Sequence, residues 1–92
     1  MPVFDEVKQE LTQNKGNIRC QRVTSLLKSL GFEVRDGSQG GHKVFTHDKL
    51  ADFYSSSFNC GHGKNPEIKP AYIVKILKTI TQYEEALRKL SE

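Results

Sequence analysis

Apolar positions change period along the chain, and the changes divide it into elements. In residues 2–13, Phe4, Val7 and Leu11 recur at i, i+3 and i+7, with Asp5 and Glu6 early in the segment. That spacing predicts a short helix, with acids at the end where the helix dipole favours them. Asn14, Lys15, Gly16 and Asn17 interrupt it. Val23, Leu26, Leu27 and Leu30 then form one apolar stripe over residues 19–30, leaving Arg19, Arg22 and Lys28 off the stripe to face water or phosphate. Gly31 is placed to end that helix in a left-handed conformation, with Phe32 folding back on its last turn.

The period then drops to two. Residues 32–36 alternate Phe32 and Val34 with Glu33 and Arg35, and residues 42–47 set His42, Val44 and Thr46 against Lys43, Phe45 and His47. Each face of the second run carries a good apolar residue, so either can be the inner one. Asp36, Gly37, Ser38, Gln39, Gly40 and Gly41 form the turn between the two strands, and His47 starts the turn that follows. Residues 52–60 read as a third strand with Tyr54, Ser56, Phe58 and Cys60 on one face, and residues 61–69 as a loop. Pro70 opens a last helix at its first position, and Ile73, Ile76, Leu77, Ile80, Tyr83, Leu87 and Leu90 keep its period to the end. Its final turns are long enough to pack on the N-terminal helix or on a partner. The order predicts an α+β chain, a three-stranded antiparallel sheet with helices on one face and the other face open.

Ninety-two residues suffice for one small domain. No apolar run approaches the roughly 20 residues of a membrane helix, and the first ten residues carry acids where a secretory signal would carry a basic region. Two cysteines, Cys20 and Cys60, are too few for a disulfide framework. Free thiols in a reducing cytoplasm are the expectation, with one bridge as the alternative. Cys60-Gly61-His62 with His42 or His47 is not a familiar zinc spacing, and no second Cys/His pair accompanies it, so no metal is expected. Nor does the chain carry a phosphate-binding glycine loop, GxSxG or HExxH, so no cofactor is expected. The net charge is +3 and the pI about 9.0. Residues 14–49 hold seven Lys/Arg against Glu33, Asp36 and Asp48, a surplus of four that suits a nucleic-acid partner.

Two runs together resemble HicA-type toxins of bacterial toxin–antitoxin systems. The first is NIRCQRVTSLLKSLGFEVRDGSQGGHKVFTH at residues 17–47, a short helix ending in LGF, a strand, a glycine turn and a histidine opening the next strand. The second is NCGHGKNPEIKPAYIVKILKTI at residues 59–80, a His/Gly loop, then EIKP and a terminal helix. The resemblance implies a domain at residues 17–92 with the αβββα fold of double-stranded-RNA-binding domains; the helical extension at residues 1–16 is extra to that pattern. It also implies metal-independent cleavage of mRNA in the cytoplasm by a histidine, and inhibition by a HicB-type antitoxin. The family's Gly-Ser-His reads Gly40-Gly41-His42 here, without the serine.

Cleavage of RNA without metal needs a base for the 2′-OH, an acid for the leaving 5′-oxygen, and donors for the charge on phosphorus. Histidine suits the first two roles because its unperturbed pKa of about 6.5 lies near working pH. His42, beside two glycines that leave the backbone open to a phosphate, is the candidate acid/base. His62, between Gly61 and Gly63, is the candidate second acid/base or phosphate ligand, and Arg35, Lys43, Lys64 and Lys69 are candidates for RNA binding. The alternative is a catalytically silent RNA-binding or protein-interaction domain on the same fold, which the missing serine favours. A further alternative is pairing of two copies through the terminal helices.

Overall fold

The computed structural model describes residues 3–37, 41–61 and 65–90, and no helix among them is long and apolar enough to cross a membrane. Both N-terminal stripes form helices, α1 (Val3–Gln13) and α2 (Cys20–Ser29). Phe4, Val7 and Leu11 of α1 and Val23, Leu26 and Leu27 of α2 are buried. The Leu-Gly-Phe run closes α2 with two bonds: Gly31 N–H donates to Lys28 O at 2.9 Å and Phe32 N–H to Leu27 O at 3.1 Å. Gly31 takes φ +93°, so the expected left-handed cap is present as a Schellman motif.

The sheet is antiparallel, in the order β1 (Glu33–Asp36), β2 (His42–Thr46), β3 (Ser56–Asn59). Register settles which face is inner. Val34 lies opposite Phe45, Phe45 opposite Ser56, and Lys43 opposite Phe58. Phe45 and Phe58 are fully buried and join the residues of the helices in one apolar cluster. Glu33, Arg35, His42, Val44, Thr46, Ser57 and Asn59 therefore share the other face, and none of them is buried. β3 is shorter than its sequence suggests. Tyr54 lies before it at 93% exposure instead of sharing the face of Phe58 and Cys60.

The last helix is two: α3 (Pro70–Gln82) and α4 (Glu84–Leu90), broken at Tyr83. No Gly or Pro marks the break. Tyr83 packs edge-on against Phe53 with ring centroids 5.5 Å apart, and Phe53 reaches Phe32 and Phe45. After this turn α4 meets α1, where Arg88 bonds Asp5 at 2.5 Å and lies 4.8 Å from the centre of the Phe4 ring. Leu87 is fully buried beside it. The N-terminal helix thus completes the same core as the sheet.

The cysteines are not free thiols. Cys20, at the start of α2, and Cys60, just past β3, form a disulfide with Cα atoms 5.4 Å apart. Forty residues separate them in sequence, and the two strand pairings between bring them together. Around this bond the 65–68 segment docks on α2: Cys20 N–H donates to Pro66 O at 2.9 Å, Gln21 N–H to Asn65 Oδ1 at 3.0 Å, and Ile68 N–H to Ile18 O at 2.9 Å.

Candidate active site on the open sheet face

The open face is polar because the inner face takes the large apolar residues of all three strands. At one end of it three residues form a row across the sheet. Gly37 N–H donates to His42 O at 2.8 Å, extending the β1–β2 ladder by one residue, and His42 lies opposite Asn59. The His42 ring rests against Gly37. A Cβ built at Gly37 would overlap Cδ2 of that ring, so the ring occupies space that only glycine leaves free.

Gly41 and Gly61 bring the neighbouring backbones equally close. Gly41 has φ +79° and Gly61 φ +76°. Cys60 N–H donates to Gly41 O at 2.6 Å, and a Cβ at Gly41 would collide with Gly61 O. A serine at residue 41 would need a φ that L residues rarely adopt, and its Cβ would meet Gly61 O. Glycine at residue 41 therefore suits the packing of this turn.

The two described histidines have opposite surroundings. His47 is 7% exposed and follows β2. Lys49 N–H donates to its Nδ1 at 3.1 Å, and its Nε2 lies 2.9 Å from Leu30 O. Nδ1 is then an acceptor, so Nε2 carries the proton and donates to Leu30 O. Both nitrogens are spent in tying β2 to the end of α2, and the Phe32 ring packs edge-on at 4.9 Å. His47 does precede a turn, but its role is structural. His42 is half-buried on the open face, and neither of its ring nitrogens has a partner among the described residues. Such an imidazole can exchange protons with a bound molecule without first breaking a bond inside the protein.

The candidate cations do not converge on it. Arg35 shares the open face, diagonal to His42, and its Nε lies 3.0 Å from Glu33 Oε1. Lys43 turns to the opposite face, where its Nζ pairs with Asp36. Hydrogen bonding to Lys43, then its charge, lowers the Asp36 carboxyl below its usual range. Lys69 precedes α3 and is exposed. Arg22, expected to face water or phosphate, is exposed and makes a two-pronged bond to Glu10. His62 and Lys64 lie outside the described residues. Cys60 is committed to its disulfide, so it provides no thiolate for the zinc reading. Among the described residues, no group of three or more His, Cys, Asp or Glu side chains converges.

Sequence reasoning passed over Asn59. Its Oδ1 accepts from Gly61 N–H at 2.7 Å, and its neighbour across the ladder is His42. The Asn-Cys-Gly order is a turn signal, but only the β2–β3 register brings that amide beside the histidine. No family model matches the chain, nor does any curated protein or solved structure.

Proposed function

We propose that this chain is a metal-independent endoribonuclease that cleaves mRNA, similar to HicA-type toxins, with His42 as its acid/base. The supporting observation is the contrast between the histidines: the two ring nitrogens of His42, on a polar sheet face, have no partner among the described residues, whereas those of His47 are both bonded within the protein. In the reaction His42 takes the proton of a ribose 2′-OH, and the freed oxygen attacks the adjacent phosphorus. The bond to the 5′-oxygen breaks, and that oxygen takes a proton from an acid, a role assigned to His62. The products are a 2′,3′-cyclic phosphate and a 5′-hydroxyl, with no water or metal consumed.

The finer fold reading, an αβββα domain of the double-stranded-RNA-binding kind with an added N-terminal helix, belongs to this proposal. So does a HicB-type antitoxin that covers the open face and occludes His42. mRNA as substrate puts the activity in the cytoplasm. The Cys20–Cys60 bond pulls against that compartment, although the two cysteines, at 7% and 4% exposure, are shielded from solvent thiols.

A second reading is a catalytically silent RNA-binding or protein-interaction domain. The observation behind it is Gly41, whose φ the serine of the family pattern would rarely adopt. Incubating the partner-free chain with single-stranded RNA in EDTA separates the two. The enzyme reading expects cleavage that His42→Ala reduces by roughly 10²–10⁴-fold, with circular dichroism unchanged. Binding of RNA without cleavage by the wild type would select the silent domain.

A further inference from the structure

A histidine moves protons, but the phosphorus also accumulates negative charge on its non-bridging oxygens, and that charge needs a hydrogen-bond donor. The cations nearest in sequence are poorly placed for it. Lys43 is on the other face with Asp36, and Arg35 is held by Glu33. Asn59 is directly opposite His42 on the same face, and Cβ atoms so paired lie about 4.5–5.5 Å apart. The His42 ring leans over Gly37, on the side away from Asn59, so a phosphate bound here has to reach from the ring to the Asn59 amide.

The orientation of the Asn59 amide follows from its one bond. Gly61 N–H is a donor, so the atom that faces it at 2.7 Å is the carbonyl oxygen Oδ1. The other end of the amide is the NH₂ group, and its two N–H bonds have no acceptor among the described residues. Among the described residues, the turn therefore fixes the side chain with its donors unspent, beside a histidine whose nitrogens are also unspent. A donor held in place before the reaction stabilises developing charge without reorganising.

We propose that Asn59 contacts the substrate directly, its Nδ2 donating to a non-bridging oxygen of the RNA phosphate on which His42 acts; this rests on the reading of His42 as the acid/base. Asn59 then stabilises the charge while His42 carries the proton.

The test compares wild type, His42→Ala, Asn59→Ser and Asn59→Asp on one unmodified single-stranded RNA, with kcat and KM measured separately and melting followed for each. Asp keeps the oxygen that accepts from Gly61 N–H and loses the NH₂. Ser keeps a turn-forming acceptor, stays neutral and also loses the donor. Both variants should melt near the wild type and lose about 10²-fold in kcat, and KM for Asn59→Ser should change far less. Wild-type kcat in either variant would overturn the proposal, and in Asn59→Asp it would assign Asn59 to holding the turn alone. A substantially lowered melting point in both would overturn it equally. If the wild type does not cleave, or His42→Ala cleaves as fast, the His42 reading fails and takes this proposal with it. Loss in His42→Ala without loss in the Asn59 variants refutes this proposal alone.

Discussion

Breaking the Cys20–Cys60 bond is expected to cost a large share of this small domain's stability. The bond closes a loop of 40 residues. In the chain-entropy treatment, such a loop restricts the unfolded ensemble by about 13 cal/mol/K, or about 4 kcal/mol at 25 °C. The folded state should change little. Cys20 N–H still reaches Pro66 O, Asn65 still meets Gln21, and Cys60 N–H still meets Gly41 O, so the effect falls on the unfolded side. A 92-residue chain unfolds with an entropy of about 190 cal/mol/K near 60 °C, so 4 kcal/mol corresponds to a fall in Tm of about 20 °C. A stability of about 5–14 kcal/mol is expected for a chain of this length, so the reduced form keeps about 1–10 kcal/mol. The assay is urea unfolding of the oxidised protein, of the protein in a phosphine reductant, and of Cys20→Ala/Cys60→Ala, with thiols counted in denaturant before each run. The reduced protein and the double variant should unfold at similar, much lower urea concentrations. An oxidised protein that yields no free thiols yet unfolds at the same midpoint as the double variant would refute the entropic argument. Two free thiols in protein purified under air would refute the bond itself.

Three further expectations follow from the packing. Gly37→Ala should push the His42 ring off its seat and lower RNA cleavage by about 10²-fold while Tm moves by only a few degrees; wild-type cleavage would show that the ring position is immaterial. Phe4→Ala should destabilise the fold by about 3–5 kcal/mol, because Phe4 is fully buried beneath Arg88; a loss below about 1 kcal/mol in urea would make α1 a dispensable appendage. Asp5, Glu10 and Asp36 are each held below their usual carboxylate range, mainly by hydrogen bonds to Arg88, Arg22 and Lys43. The unfolded chain therefore binds more protons in acid, so this stabilisation is present above about pH 4.5 and lost as pH falls through the folded-state values. The urea midpoint should decline from pH 5 to pH 3, less steeply in about 1 M salt, where the Debye length is near 3 Å; a flat profile would contradict it.

Much of this architecture is readable from residue order because its signals are local. The stripes of α1 and α2 and the Leu30-Gly31-Phe32 cap depend on neighbours within a turn or two. Where two local readings were equal, a distant contact decided between them. β2 has an apolar residue on each face, and Phe45 faces inward because it meets Phe32, Phe53 and Phe58. Residues 54–57 are too polar for alternation to mark where β3 begins. The break at Tyr83 is hidden because the apolar period continues through it, and its cause, contact with Phe53 and α1, lies elsewhere in the chain. At the site, His42 was visible as a residue type beside glycines. The structural role of His47 and the position of Asn59 depend on partners that only the sheet register and the α2 terminus provide.

The docking of Asn65 on α2 bears on the order in which the chain acquires structure. Arg19 stands at the helix entrance with no side-chain cap of its own. The amides of Cys20 and Gln21 are instead satisfied by Pro66 and Asn65, more than 40 residues onward. Until that segment arrives, the first turn of α2 frays like any uncapped helix end. Before the Cys20–Cys60 bond forms, its completion is a loop-closure event, governed by the distance along the chain and not by helix nucleation. The start of α2 and residues 65–68 should then open and close as one cooperative unit, so that the Cys20, Gln21 and Ile68 amides exchange with solvent deuterium at a common free energy although they belong to different elements.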